Sequence, residues 1–301
     1  MISNLDPATQ QFLNGLNEIS DRMTDAQRRI TTGLKISQVS DEPDSVSLLL
    51  EARANLSAAT QKLANVSRVK TEVDTAENSL QVAVQLFDKV QTLSAQGSSD
   101  VLTAAGRADA AQELDSLLQQ LVGLAGTSVE GRFIFAGDTD QQVPYIYTEG
   151  QATPVSAYLG SSSTRLVQHP NGTTFTVAKT AQEIFDSTDP ATNVFTSVQQ
   201  LITALRANDG TAIRTVNSGL AKVSEYLNSQ LAFFGTTQNK VSNATNFGDT
   251  LVVQLKTQIS NLEDADLTQA ILDLNQAGTQ QQAALQSRAR IPRTTLFDYL
   301  G

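Results

Sequence analysis

The first thirty residues place apolar or small side chains at Phe12, Leu16, Ile19, Met23, Ala26 and Ile30, with gaps of 4, 3, 4, 3 and 4. That alternation is the seam of a heptad helix. Asn14, Asn17, Glu18, Ser20, Asp21, Arg22, Thr24 and Asp25 lie between, so only one narrow stripe can be buried. A single helix of this kind is marginal in water. The stretch needs a partner helix, yet no hairpin partner stands beside it in sequence. It must pair with the far end of the chain or with another copy of the molecule.

The pattern then returns. Ala59, Leu63, Val66, Val69, Val73, Ala76, Leu80, Ala83, Phe87 and Val90 continue it without an intervening Pro or Gly. This predicts one long helix from about Pro43 to about Ala95, broken by Gly97-Ser98-Ser99-Asp100. Ala111, Leu114, Leu118, Leu121 and Ala125 mark a third helix that ends in Gly123 to Gly126. Short connections between such helices imply antiparallel neighbours. After residue 190, Val198, Ile202 and Leu205 mark a short helix. A longer seam runs from Ile213 through Val223, Leu227 and Phe234 to Leu262. Gln238 and Thr245 are polar members of it, of the kind that weaken packing but fix register. Leu267, Ile271, Leu274, Ala277 or Gly278, Gln281 and Ala284 form a softer last seam, capped by Asp264 or Asp266 and stopped by Pro292. The apolar tail Leu296-Phe297-Asp298-Tyr299-Leu300 follows.

The middle has another character. Pro144, Pro154 and Pro170 fall there, and "GRFIFAGD" is an apolar run bounded by glycines. "TRLVQH" and "TTFTVAK" flank Pro170-Asn171-Gly172, a hairpin signal. The expected fold class is therefore mainly α: a long antiparallel coiled-coil or helical-bundle rod built from both termini, with a small β-rich central insert. The expected segments are an N-terminal assembly helix with its joint (1–42), a helical segment (43–140), the β insert (141–190), a second helical segment (191–262) and a C-terminal assembly helix (263–301).

Composition narrows the function. The formal net charge of −10 lacks the basic footprint of a nucleic-acid binder and suits an anionic membrane surface poorly. No apolar run approaches the length needed to cross a bilayer. The start of the chain lacks the charged and apolar regions of a Sec signal peptide, so any route out of the cytosol is expected to be a different one. With no Cys there is no disulfide and no thiolate metal site. The single His, His169, precedes the predicted turn and has no nucleophile or second His with it, so it reads as a turn residue rather than a general base. "GDTD" at 137–140 lacks the further ligands of a calcium loop. Glu263, Asp264 and Asp266 read as helix-start chemistry. No catalytic, metal-binding or cofactor-binding residues are expected, no cofactor is expected, and the chain is read as neither an enzyme nor a binder of a small-molecule substrate.

The same logic applies to the stretch after the first seam. Gly33 permits a backbone turn, Ser40 or Asp41 can cap the next helix, and Pro43 is tolerated in a first turn. Gly33, Ser40, Asp41 and Pro43 are thus expected to form a helix joint, and Asp41, Glu42 and Asp44 to be its start signal rather than a site.

"RRITTGLKISQVSDEPDSVSLLLEARAN" resembles the N-terminal signature of the flagellin superfamily through Arg29-Ile30, Gly33, Ile36, Ser40-Asp41 and Pro43, with Glu42 and Lys35 replacing the usual Asp and Arg. "GRFIFAGDTDQQVPY" is similar to a segment of the superfamily's hook–filament junction branch, the FlgL-type proteins. So is the end of the chain, Thr295-Leu296-Phe297-Asp298-Tyr299-Leu300. The resemblance implies an extracellular structural part of the bacterial flagellum, exported by the flagellar type III apparatus. It implies a ring of copies between a FlgK-type junction protein and flagellin, with a FlgN-type export chaperone as a further partner. The alternative it leaves is a flagellin that polymerises into the filament. Phe12, Leu16, Ile19, Met23, Ile30, Leu267, Ile271, Leu274, Leu296, Phe297 and Leu300 would form the assembly interface.

Overall fold

The structure, a computed structural model, describes residues 7–290. Its helices are α1 (Pro7–Thr32), α2 (Pro43–Gly97), α3 (Ala104–Ala125), α4 (Ala181–Phe185), α5 (Val194–Arg206), α6 (Gly210–Glu263) and α7 (Leu267–Arg290). The strands are β1 (Ser128–Val129), β2 (Arg132–Phe133), β3 (Leu166–Gln168) and β4 (Thr174–Thr176). Mainly helical architecture with small antiparallel pairs is what the periodicities predict. The long helix expected over about 43–95 is α2. The chain packs as two compact units: Ala59–Thr250 is one, and the two ends, up to Ala58 and from Leu251, make the other.

The central unit owns the hydrophobic core. Val66, Val73, Ala76, Leu80, Ala83, Phe87 and Val90 of α2 are buried, as are Ala111, Leu114, Leu118, Leu121 and Ala125 of α3. Val198, Ile202 and Leu205 of α5 join Ile213, Leu220, Val223, Leu227, Phe234 and Val241 of α6 in the same cluster. The predicted seams are thus inward faces of these helices. Gln238 donates from Nε2 to Asp74 Oδ1 of α2 at 2.9 Å, a polar contact with only one good register.

One buried guanidinium fastens two helix turns together. Arg107 donates to the carbonyls of Gly97 and Ser99, at 3.1 Å each, and to Asn208 Oδ1 at 2.6 Å. It thereby satisfies carbonyls that the end of α2 leaves without helical partners.

The insert is less regular than expected. Within 141–190 the strands are only β3 and β4, paired Leu166↔Thr176 to Gln168↔Thr174 across the Asn-Gly turn. The other pair, β1 with β2, lies earlier, and its turn residues Glu130 and Gly131 both have positive φ, 52° and 77°. That is the backbone demanded by a tight primed turn. Short α4 has a capping box, in which Thr180 and Glu183 exchange side-chain and backbone bonds. "GRFIFAG" holds the insert to the core: Ile134, Phe135 and Ala136 are buried, and Phe135 meets Phe234 edge-to-face at 6.1 Å.

Candidate functional site: paired helix joints and terminal helices

The joint after α1 is stitched to the joint before α7. Gly33 closes α1 through its N–H to the Arg29 carbonyl at 2.9 Å, and it turns the chain with φ at +72°. Its own carbonyl then accepts from Ala265 N–H at 2.9 Å. The N–H groups of Lys35 and Ile36 both donate to the Glu263 carbonyl, at 2.6 and 3.4 Å. Leu34 and Asp264 face each other as an antiparallel bridge. The buried Glu263 carboxylate accepts from Arg53 of α2. Asp266 caps α7, accepting from Thr268 N–H at 2.9 Å and Gln269 N–H at 3.1 Å.

The acidic stretch folds around its own loop. Asp41 Oδ2 accepts from the N–H groups of Ser37 and Gln38, at 2.9 and 2.8 Å, and Oδ1 accepts from Arg28 at 3.0 Å. Pro43 is the first residue of α2. Neither Ser40 nor Asp41 caps that helix. Ser40 is exposed, and Asp41 is committed to Ser37, Gln38 and Arg28. Glu42 does the work instead: its carbonyl accepts from Ser45 and Val46, and its carboxylate pairs with Lys35. Proline at the next position fixes which residue stands at the boundary. Among the described residues no three His, Cys, Asp or Glu side chains converge to hold a metal ion.

Asp41 is held below its ordinary pKa chiefly by the Ser37 and Gln38 amides, with Arg28 adding to them. Glu42 is held low by hydrogen bonds from Lys35 and Ser45. A folded value below the unfolded one stabilises the joint fully above the unfolded values, 3.8 and 4.5. That contribution disappears as pH falls through the folded values. Amide protection at Ser37 and Gln38 should therefore begin to weaken as the pH falls past about 3.8 and be lost once it has fallen through the lower folded value of Asp41. Asp41→Ala, which removes the acceptor, should show the unprotected joint already at neutral pH, with no further acid step from this residue.

The terminal helices run antiparallel against each other. Arg288 near the end of α7 donates to Thr9 Oγ1 at 2.7 Å and lies over the Phe12 ring, while the joints meet at the opposite end. The partner that α1 lacked nearby is thus the far end of the same chain. Ala26 and Ala277 are buried at this contact, beside a polar cavity of about 280 Å³ lined by Arg22, Asp25, Arg29, Asp273 and Gln276. Phe12, Leu16, Ile19, Met23 and Ile30 are half-buried, as is Leu274. Leu267 and Ile271 remain about half exposed, at 47% and 50%. Small residues, Ala270 and Ala277, therefore turn α7 toward α1, and its largest aliphatics turn away. Leu296, Phe297 and Leu300 lie outside the described residues. The seam reading missed Leu272 and Leu285 on α7, Leu48 and Leu50 on α2, and Val253 on α6, all exposed. The signal was there, since each is a large aliphatic standing off its helix's stripe.

Residues 2–140 match the model of the bacterial flagellin N-terminal helical region, and residues 218–300 match that of the C-terminal helical region. Flagellar hook-associated protein 3 of Salmonella typhimurium is 26% identical, over 92% of this chain and 92% of that protein. The crystal structure of Bacillus cereus FlgL superposes with a TM-score of 0.56 at 19% identity, covering 71% of this chain and all of that one. A flagellin of Clostridium tyrobutyricum is 23% identical over 63% of this chain, and over only 52% of its own length. Helical ends that match the flagellin models, with likeness to hook-associated protein 3 running over 92% of both chains, leave one assignment: the chain belongs to the flagellin superfamily as a FlgL-type hook-associated protein, a structural component of the bacterial flagellum.

Proposed function

We propose that this chain forms a ring of copies that joins the hook, through a FlgK-type junction protein, to the flagellin filament, and that its two ends make the ring. The observation that carries this is an imbalance of burial. The terminal unit holds about a third of the described residues but nine of their fifteen exposed large hydrophobics. None of the largest fully buried side chains belongs to it. Taking such a side chain fully from water gains roughly 1.5–3 kcal/mol, and about half of that surface is still open on these residues, so this unit gains stability from neighbours that the central unit does not need. Export through the flagellar type III apparatus, escorted by a FlgN-type chaperone, fits a subunit whose ends carry this surface. Among the described residues no helix is long and apolar enough to cross a membrane.

Purified chain added to isolated hooks should form a short cap that stops. Growth without limit would instead make it a filament-forming flagellin. Because Ile271 is half exposed in the single chain, Ile271→Asp should change monomer stability by less than about 1 kcal/mol in a thermal melt. The same substitution should abolish cap formation, since a carboxylate buried between subunits without a partner is expensive.

A further inference from the structure

The polar cavity between α1 and α7 holds charges that do not meet. Arg22 and Asp273 both line it, one on each helix. Among the described residues neither takes part in an ion pair. Arg22 is exposed, and its Nε donates to the Glu18 carbonyl of its own helix at 3.4 Å, a long and weak bond. Asp273 is half-buried and accepts from Gln269 Nε2 at 2.8 Å through Oδ1. The other two charges of the cavity are already matched, Arg29 Nη2 to Asp25 Oδ2 at 2.7 Å.

Register decides which charges can join. The Thr9–Arg288 and Leu34–Asp264 contacts fix how the antiparallel helices align. They set Asp273 level with Thr24 and Asp25, so two carboxylates border the same hollow at one height. At 1.5 Å per residue, Arg22 lies about 4 Å from that level along the axis and Arg29 about 7 Å. An arginine stem spans the shorter offset by turning about its own bonds, with no movement of the backbone. In the free chain little drives that turn. A polar hollow of about 280 Å³ admits water, and charges in water attract each other weakly.

We propose that Arg22 and Asp273 of one chain close into an ion pair when subunits assemble, and that this pair locks α1 against α7 in the assembled state. The residues just before Asp273 tie closure to assembly. Ile271 and Leu272 are 50% and 57% exposed, and neighbours that cover them take water away from Asp273 as well. An unpaired carboxylate is then expensive, and its attraction to Arg22 grows as the dielectric falls. This closure rests on the assembly reading above and adds a contact that the free chain lacks.

Charge reversal in the full-length chain is the test. Arg22→Asp and Asp273→Arg should each cut cap formation on isolated hooks by about tenfold or more. The Arg22→Asp/Asp273→Arg double variant should return to within about threefold of wild type. In hydrogen exchange of the α1 amides of the dilute chain, the same cycle should show no coupling between the two sites. Single variants that cap like wild type overturn the pair, and so does a double variant no better than the singles. Coupling in the dilute chain overturns the tie to assembly, because the pair is then closed beforehand. An equal mixture of the two single variants that caps as well as the double variant overturns pairing within one chain and places it between copies. If wild-type chain forms no cap at all, the junction reading fails and this closure falls with it.

Discussion

A chain with Val at position 33 should still be helical and should fail to assemble. Gly33 has φ at +72°, with open space where a Cβ would stand, so the penalty is backbone strain rather than a clash. The left-handed conformation costs an ordinary residue roughly 1–2 kcal/mol, and a β-branched one more. The strain falls on a residue whose N–H closes α1 and whose carbonyl holds the paired joint. Gly33→Val should leave the far-ultraviolet circular dichroism of the monomer within a few per cent of wild type. Motility and cap formation on isolated hooks should drop at least tenfold. Gly33→Asn, which tolerates the left-handed region, should recover most of both. Equal loss in the Asn and Val variants would show that the side chain matters there, not the backbone angle.

The largest effect on stability is expected at Phe87. Its ring is 1% exposed in the cluster where α2, α3, α5 and α6 meet. Phe87→Ala removes a buried aromatic ring and leaves a cavity, a change that typically costs about 3–5 kcal/mol. A urea titration should show a fall of that size with little change in slope. Leu50→Ala, on a residue 59% exposed, should stay within about 0.5 kcal/mol of wild type. A small effect at Phe87 would mean that the cluster can collapse into the void.

Much of the fold was legible because helix burial has a period. Ala59 to Val90 announced α2 and its inward face, and Pro43 and Gly97 bounded it to within two residues. Asn171-Gly172 announced the β3–β4 turn. What periodicity could not supply was the identity of a partner. Phe12 to Ile30 demanded another helix, but nothing in a heptad names one more than 200 residues away. The turn between β1 and β2 was hidden because Glu130, not an Asn or Gly, takes the first left-handed position. Asp41 was read as a cap from its residue type, and the competition for its carboxylate from Ser37, Gln38 and Arg28 shows only in three dimensions. On α7 the large aliphatics drew the seam to Leu267 and Ile271, whereas close approach to α1 selects Ala270 and Ala277.

The stitched joints also set an order of events in time. Arg53 and its partner Glu263 are 210 positions apart, so the terminal unit is made of pieces that meet only when a long loop is closed. The entropy of closing such a loop grows slowly with its length but must be spent before any contact repays it. A chain that emerges from its N-terminus presents Gly33, Lys35 and Ile36 with no carbonyl to bind until residue 263 has followed. The central unit has all of its core by residue 244 and can be complete first. The end of the chain that appears earliest is thus among the last to acquire its structure.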